Sequence, residues 1–513
     1  MPYNRVEITR PKGINVDLSP YELPNDLFSD GKNVTFQNFR TQVSDGYKQV
    51  FTDTTVKPIF MQPWTDFLQE YWFYADEDSI FRTQGTTQLN VTRLSGAYNT
   101  TLNAGWTGAN FNGALIMSNP NDEPQFFNVN TAKMEDLPAW PADTTCATVR
   151  PFKNYLIALN IVKSSVNFEN MVKWSDSVDA GGVPQSWDEA DPSTDAGENI
   201  LADSEGRVID GVALADTFYI YKSDSVWGMN FVGGKFIFNF RKVFNSGGAL
   251  SQDCVVEFNG KHFVVGINDV YVHDGSSKKS VISNKFKSML YGQISESSIS
   301  NIKAVGDHTN KEIWIYFPNT KSLTGQANTA IVYNYEVDEW TQREIPELTH
   351  ISVGTINPQE PDDWDDSDLS WDNSSKSWGG ENYNPSITSL LIADYNNNKF
   401  YQGNETRTFD GASYTGSVER IGIDFGDDLG FKYINSVTPH FSGGGTVDIY
   451  IGTESKQGEG VTWSAPVSFE VGVDYKANFR ASGRYIAIRF ESTSDNLWAL
   501  TGYTLEYTNK GIR

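Results

Sequence analysis

The feature that most constrains the fold of this chain is a pair of short apolar runs joined by a polar turn, which recurs along residues 50–410. Val, Ile, Phe, Tyr and Trp dominate the runs, whereas Asn, Asp and Gly dominate the turns, a pattern typical of antiparallel β-hairpins. No segment has apolar residues at helical spacing over three or four turns. The sequence therefore predicts an all-β protein. The pairs are Tyr71–Tyr74 with Ile80–Phe81, Ala114–Met117 with Gln125–Phe127, Tyr155–Leu159 with Met171–Trp174, Phe218–Tyr221 with Val226–Trp227, Lys261–Val265 with Val270–His273, Ile313–Phe317 with Ala330–Tyr335, and Leu390–Ala393 with Phe400–Tyr401.

The spacing of these pairs indicates an architecture. Their first runs lie about 40 to 80 residues apart, near the length of a β-propeller blade with insertions. We expect a β-propeller over 51–410, with six blades favoured and seven possible. Two stacked sandwiches would give similar local patterns and stay open as an alternative.

The sequence changes character after residue 410. The apolar runs become longer and alternate cleanly with polar residues, which predicts a separate C-terminal β-sandwich over 411–513. Residues 1–50 are assigned to an N-terminal arm and first strands. The chain thus divides into three predicted regions, with acidic insertions in the second one near 174–205 and 355–381.

The charge of the chain excludes some functions. It has 40 basic and 65 acidic residues, a net charge of −25. Residues 411–513 hold 12 acids and 9 bases, a net of −3, so −22 belongs to residues 1–410. Tight binding of DNA or RNA depends on Lys and Arg displacing counterions, so general nucleic-acid binding is disfavoured. Anionic membranes would repel the chain as well.

Two segments concentrate this acidity. Residues 174–205 hold nine acids and no base, and 355–381 hold eight acids and one Lys. Both are predicted to be long surface loops, which in compact domains are usually functional or mobile. The second loop is a solvated charge run or, alternatively, a cation site. Its candidate residues are Asp362, Asp363, Trp364, Asp365, Asp366, Asp368, Trp371 and Trp378.

Targeting signals and cysteines point to synthesis in the cytoplasm. The first residues lead into no apolar segment, so we expect no secretory signal. The most apolar stretches, such as Tyr155–Val162, are far shorter than the ~20 residues that span a bilayer, so no membrane insertion is expected. Cys146 and Cys254 lie 108 residues apart and are predicted to be free buried thiols.

No motif for catalysis, metal or cofactor stands out. His262 and His273 are expected on one hairpin near Cys254, where a zinc or nucleophile site is possible but satisfied strand histidines are favoured. Asp394-x-Asn396-x-Asn398 with Glu405 imitates a calcium loop, although Lys399 replaces the usual Gly and a hairpin turn is favoured. We therefore predict no cofactor, no metal and no enzymatic activity.

Three segments, in order along the chain, carry a resemblance to a known family. They are Leu23–Phe36 with Arg40 and Gly46–Tyr47; Val172–Asp176 with Pro184–Trp187; and Ser482–Phe490 with Trp498, Gly502–Tyr503 and Gly511–Arg513. Together they resemble the nozzle or tail-hub proteins of short-tailed bacteriophages, a set that includes proteins described as packaged-DNA stabilisation proteins. Thr35 stands where Arg is common in that family.

The resemblance implies a structural virion protein. It implies a homohexameric ring below the portal, in contact with the head-to-tail adaptor and with tail fibres or a needle. Double-stranded DNA would pass through the ring during ejection, and the ring would help retain the packaged genome. A ring of six would carry about −150, which would let DNA slide rather than adhere. The nearly neutral C-terminal sandwich is the region best suited to contact neighbouring copies.

Ten residues of these segments are candidate family-motif or interface positions. Core or fold roles are favoured for Trp174, Trp187 and Tyr485. For Arg484 and Arg489, an interface role and pairing within the chain are equally open. The set is Asn33, Phe36, Arg40, Trp174, Ser175, Asp176, Trp187, Arg484, Tyr485 and Arg489.

The alternative function is a carbohydrate-binding or glycoside-cleaving β-propeller, such as a fibre-like adhesin or a sialidase-type enzyme. Ser177-x-Asp179-x-Gly181, followed by Trp187, resembles the Asp-box turn of sialidase-type propellers. That turn is structural in those enzymes, and here its Trp is displaced. The alternative predicts a monomer that binds or cleaves glycans.

Overall fold

The computed structural model describes residues 4–511, apart from 38, 67–69, 85, 235, 295, 357–387, 494, 495 and 497. Regular structure in this part is almost entirely antiparallel β-strand, which confirms the all-β prediction. The helices described are one five-residue α-helix, Lys287–Tyr291, and a 3-10 helix, Glu296–Asn301. None of the helices described has the length and hydropathy needed to cross a lipid bilayer.

Five successive four-stranded sheets make up residues 60–280, and each is an antiparallel meander in chain order. We call them units 1 to 5. Unit 1 is Phe60–Thr65, Glu70–Ala75, Ile80–Gln84 and Thr87–Asn90; unit 2 is Thr107–Phe111, Ala114–Ser118, Gln125–Phe127 and Glu135–Asp136; unit 3 is Thr144–Phe152, Tyr155–Lys163, Val166–Trp174 and Gly197–Ile200; unit 4 is Val208–Leu214, Thr217–Lys222, Val226–Phe231 and Phe238–Phe244; unit 5 is Val255–Phe258, Lys261–Val265, Val270–His273 and Lys278–Ser280.

A seven-stranded sheet follows, and it divides into two further units that share one long strand. The first part of Glu339–Gly354 pairs with Ala327–Asn334, and its second part pairs with Ser389–Asp394. Seven units therefore repeat, in line with the seven pairs of apolar runs in the sequence, while the number of propeller blades stays a prediction. Unit 6 is Lys303–Asp307, Glu312–Phe317, Ala327–Asn334 and the first part of Glu339–Gly354; unit 7 is the second part of that strand with Ser389–Asp394, Lys399–Gly403 and Tyr47–Val50.

The first strands of the units lie beside one another. Each contacts the first strand of the next unit in chain order, and the long strand of unit 7 contacts Phe60–Thr65 of unit 1. At that last contact the His350 ring lies 4.7 Å from the Phe60 ring. The hydroxyl of Thr349 donates to the Pro58 carbonyl oxygen nearby.

The second and third strands of the units carry most of the buried apolar residues. All six residues of Glu312–Phe317 are buried, and Thr217–Lys222 is buried except at its first residue. Such strands are covered on both faces, so they are apolar in continuous runs rather than in alternation. Aromatic rings also join neighbouring units. The ring of Trp64 in unit 1 lies edge-on, at 5.4 Å, to that of Phe127 in unit 2.

Two six-stranded sheets, called sheet A and sheet B, contain most of the strands after residue 414. They also take in strands from residues 4–43, so pairing crosses the boundaries at 50 and 410, which stay predictions. A two-stranded parallel pair, Gly13–Ile14 with Leu27–Phe28, lies in the same N-terminal region. Sheet A is Asn4–Thr9, Val34–Gln37, Arg40–Val43, Lys432–Gly443, Ala477–Gly483 and Trp498–Asn509; sheet B is Asp30–Lys32, Thr415–Ile423, Thr446–Glu454, Thr462–Trp463, Val467–Glu470 and Tyr485–Thr493.

Strand Tyr47–Val50 pairs with the last unit and so connects it to the N-terminal region. Two proline substitutions test this pairing. The backbone N–H of Gln49 donates to Asp410, away from Lys399–Gly403, so the N–H of Lys48 faces that strand. Lys48→Pro removes a ladder hydrogen bond and should lower the free energy of unfolding by about 1–3 kcal/mol. Gln49→Pro keeps the ladder and is the matched control. Equal losses in urea unfolding would contradict this pairing.

Candidate functional site

A partly buried ion-pair cluster joins the first strands of units 3, 4 and 6 with the segment before unit 5. Arg150 of unit 3 binds Asp210 of unit 4 in a bidentate pair, with both N···O distances 2.8 Å. The same guanidinium reaches Asp253, before unit 5, at 2.8 Å. Lys303, the first residue of unit 6, lies 3.2 Å from Asp253. The Asp210 carboxylate also accepts the Asp253 backbone N–H at 3.0 Å, which holds the two acids together.

The cations decide the protonation of this cluster. Burial disfavours the charged form of Asp253, but Lys303 and Arg150 outweigh burial and hold its pKa well below the usual range. Burial, and then the Lys303 ammonium, lower the pKa of His350 to about 3, so this histidine is neutral at pH 7. An acid held ionised by two cations is a poor general acid at neutral pH. The cluster is therefore suited to holding strands together rather than to proton transfer.

Two cavities adjoin the cluster. One, of about 150 Å³, is lined by Arg150, Asp253 and His350 together with Tyr316 and Phe60. The Nδ1 atom of His350 is buried there and makes no hydrogen bond with the residues that the structure describes. The other cavity, of about 500 Å³, has Lys303 in its wall together with residues from units 2, 3, 4, 6 and 7 and from the segments that precede units 1 and 5.

The predicted histidine pair forms a complete hydrogen-bond chain with Tyr221. His262 Nε2 lies 3.1 Å from the Ala213 carbonyl oxygen, and His273 Nδ1 accepts the Gly275 N–H at 3.1 Å. These contacts fix the tautomers. His273 Nε2 therefore donates to the Tyr221 oxygen, and the Tyr221 hydroxyl donates to His262 Nδ1, both at 2.6 Å. Every ring nitrogen has a partner, which matches satisfied strand histidines and leaves no nitrogen for zinc.

The candidate residues of the first motif segment join separate parts of the chain. The Asn33 amide donates to the Glu344 carboxylate at 2.8 Å and to the Thr415 carbonyl at 2.9 Å. Its φ of 53° lies in the left-handed region, which Asn tolerates. Phe36 is buried against Phe28, whereas Arg40 is exposed.

The middle segment closes a loop over unit 3. The Trp174 indole donates to the Asp195 carbonyl at 2.8 Å, and the Asp176 carboxylate accepts the Asp195 N–H at 2.9 Å. The Ser175 hydroxyl accepts the Leu156 N–H at 3.0 Å. Trp187 is fully buried against Trp140, with ring centroids 4.7 Å apart.

These contacts leave the middle segment inside the protein. Trp174 packs edge-on to Phe238 of unit 4, whereas Trp187 packs in a cluster shared with unit 2. Within the same acidic loop, the Glu189 carboxylate pairs with the fully buried Lys173 at 2.5 Å. Both tryptophans therefore have the buried environment of a core residue.

The last segment contacts its own sheet and the N-terminal region. Arg489 donates to the Glu419 carboxylate at 2.7 Å and stacks over Trp463, so it pairs within the chain. Tyr485 packs edge-on to Tyr21 at 5.1 Å. The Arg484 guanidinium lies over the Phe431 ring. The three residues are half-buried.

The remaining candidates give no metal site in the described part of the chain. The acidic loop with Asp362, Asp363, Trp364, Asp365, Asp366, Asp368, Trp371 and Trp378 lies outside the described residues. The Asp394 carboxylate caps its own hairpin turn by accepting the N–H groups of Asn396 and Asn397. No group of three His, Cys, Asp or Glu residues arranged to hold a metal occurs among the described residues. Cys146 and Cys254 are free and buried, as the sequence predicts, and burial raises the pKa of Cys254 to about 12.

Sequence reasoning missed the ion-pair cluster. Its most buried member, Asp210, is the single charged residue of an otherwise apolar first strand, Val208–Leu214. The sequence signal that could have revealed the cluster is a charged residue at a buried strand position, because a buried charge requires a partner. The identity of the partner depends on contacts between strands 60 and 103 residues apart in sequence.

Comparison with known proteins assigns no family. No family model matches the chain, and no curated protein sequence matches it. One similar solved structure is a crystal structure of a computationally designed protein, Ika8, which is 8% identical. That alignment covers 77% of this chain and 99% of the designed chain, with a TM-score of 0.39. A likeness this weak carries no argument about fold or function.

Removing the central cation tests the ion-pair cluster. Arg150→Met leaves the buried Asp210 carboxylate without a cation, whereas Asp253 keeps Lys303, and it should lower the free energy of unfolding by about 3–5 kcal/mol. The matched control is Lys153→Met, which removes an exposed pair with Asp216 and should cost less than about 1 kcal/mol. Chemical denaturation of both variants measures the difference. A similar small loss in both would contradict the role of Arg150.

The histidine chain predicts acid sensitivity. Burial, the main cause, lowers the pKa values of His262 and His273 to about 4 in the folded protein. Between pH 6.5 and about 4 the unfolded chain binds protons that the folded chain does not, so stability falls as pH falls. Each histidine should contribute about 1 kcal/mol per pH unit near pH 5.

His273→Gln should therefore reduce the pH slope of the unfolding free energy between pH 7 and 5. Burial raises the pKa of Glu339 to about 8, so protonation of Glu339 increases the free energy of unfolding as the pH falls. The pH slope of the variant is therefore compared with that of the wild type. Urea unfolding at several pH values measures both slopes. An unchanged slope in the variant would show that His273 is protonated in the folded protein near its ordinary pKa.

Proposed function

We propose that this chain is a structural virion protein that forms the nozzle or hub ring of a short bacteriophage tail. In this role it lines the exit channel for the genome, helps to retain packaged DNA and anchors tail appendages. It acts by assembly and not by catalysis. The proposal begins from the three sequence segments that resemble nozzle proteins.

The observation that carries the proposal is the meeting of the first and last of these segments. Arg40–Val43 pairs directly with Trp498–Asn509 in sheet A. In sheet B, Asp30–Lys32 and Tyr485–Thr493 lie on opposite sides of Thr415–Ile423. Segments more than 400 residues apart in sequence thus form one body.

We propose that units 1–7 are the blades of a β-propeller and that sheets A and B are the layers of a β-sandwich. The contacts between successive first strands, and the return contact from unit 7 to unit 1, support a closed ring of blades. Tyr47–Val50 would complete the last blade from the other end of the chain. Such a closure would resist opening under the pressure of packaged DNA.

The DNA channel in this proposal lies between copies and not through one chain. The blades would converge at the first strands, where the ion pairs of Arg150 and Lys303 lie beside cavities of about 150 and 500 Å³. A DNA duplex is about as wide as a small domain and needs a far larger opening. Six copies with a net charge of −25 each would give a wall that repels phosphate.

Exposed apolar residues in the C-terminal region supply a contact for neighbouring copies. Val473 and Tyr475 are 71% and 80% exposed and lie in one loop after sheet B strand Val467–Glu470. Apolar side chains grouped on a surface mark interaction sites more often than scattered ones. The region also has little net charge to oppose self-association.

Light scattering of the purified 57.3 kDa protein tests self-association, alone and with the phage adaptor. We expect a ring near 340 kDa, about six copies. The double variant Val473→Asp, Tyr475→Asp should return monomers with unchanged thermal stability. Leu323→Asp, at a 95% exposed residue in the loop of unit 6, is the matched control and should still form rings.

A second experiment uses phage particles that lack the protein. Their heads should package DNA and then lose it, because the exit channel is left unsealed. Full, stable particles without the protein would contradict the proposal. A monomer under all conditions that cleaves glycans would favour the glycosidase alternative instead.

A further inference from the structure

The cavity of about 500 Å³ is a small-molecule site that the proposed function does not use. Its volume lies within the range of ligand pockets. Its wall is built by the segments that enter the first strands, including Leu102–Trp106 before unit 2 and Leu250–Gln252 before unit 5. Ala147 of unit 3 and Thr349 of unit 7 complete the wall. The wall thus combines strands of units 3, 4, 6 and 7 with the segments that lead into units 1, 2 and 5, which gives the pocket a rigid frame.

The charge of the lining is opposite to that of the chain. The charged residues in the wall are Arg207 and Lys303, and the lining contains no acid. Lys303 is neutralised by Asp253 at 3.2 Å. Arg207 is exposed, and its guanidinium makes no hydrogen bond or ion pair with the described residues. The pocket therefore offers one free guanidinium, which binds a carboxylate or phosphate with two parallel hydrogen bonds.

Three amides in the wall are fixed as hydrogen-bond acceptors. The amide nitrogens of Asn160, Gln252 and Asn301 donate to backbone carbonyls at 3.2, 3.1 and 2.8 Å. Each donor contact fixes the amide orientation, because a carbonyl can only accept. Their side-chain oxygens accept no hydrogen bond from the part of the chain that the structure describes. They are suited to bind hydroxyl groups, which donate.

We propose that this pocket binds a carboxylate-bearing sugar, with the carboxylate on Arg207 and the hydroxyls on the three amide oxygens. A bare phosphate has only acceptor oxygens apart from its acidic proton, so the amide oxygens disfavour it. A neutral sugar satisfies the amides but leaves Arg207 without a partner. The ligand class is a hexuronic acid, either free or as a unit of an acidic polysaccharide.

Titration calorimetry with the full chain tests the site, using glucuronate, glucose and inorganic phosphate as probes. We expect glucuronate to bind about tenfold or more tightly than glucose or phosphate, the discrimination that one charged hydrogen-bonded pair provides. A further titration with an oligoglucuronate distinguishes the free acid from a unit of an acidic polysaccharide as the ligand. Tighter binding per chain than that of the monomer indicates a polysaccharide unit, and equal binding indicates the free acid.

Arg207→Gln should weaken glucuronate binding at least about tenfold while leaving thermal stability unchanged, because the side chain is exposed. Arg241→Gln is the matched control, since Arg241 is exposed on the fourth strand of unit 4 and is not part of the lining, and it should bind as wild type does. Three results would overturn the proposal. They are no binding up to about 10 mM glucuronate, equal affinity for phosphate, and equal affinity of Arg207→Gln and wild type.

Discussion

The guanidinium of Arg150 is the group on which the arrangement of the first strands depends. It contacts one carboxylate on unit 4 and one on the segment before unit 5, and Lys303 brings unit 6 to the same point. Buried charges are costly unless their partners are in place, so this cluster penalises any arrangement in which one unit is displaced. Apolar packing between units lacks this specificity, because apolar surfaces attract one another in many relative positions. The ion pairs therefore select one arrangement among many compact ones.

The two ends of the chain add a second constraint. Strand Tyr47–Val50 belongs to unit 7, while the residues before it belong to sheets A and B together with the C-terminal strands. Asn33 stands at the junction, bonded both to the long strand of units 6 and 7 and to Thr415. Separating the two regions would therefore break strand pairing and side-chain bonds together. A subunit built this way is suited to bear load, which the proposed nozzle role would require.

The sequence predicts the repeated core well and the long-range contacts poorly. All seven predicted pairs of apolar runs coincide with the second and third strands of the seven units, because strands buried on both faces carry continuous apolar runs. The sixth and seventh units share a strand, which the local sequence pattern does not reveal. The pairing of Asn4–Thr9 with Trp498–Asn509 also has no local signal, since register is set by tertiary contacts. Trp174 and Trp187 are motif residues for which the sequence favours core roles. Both side chains are buried, which explains why large apolar residues stand at these positions.

An electron cryomicroscopy map of the purified protein tests the central claim most directly, namely that seven units close into one ring held by the Arg150 cluster. We predict seven four-stranded sheets around a single axis. Side-chain density for Arg150 should run between Asp210 and Asp253, with Tyr47–Val50 on the outer edge of unit 7. An open row of sheets, or an Arg150 side chain that points into solvent, would contradict the account.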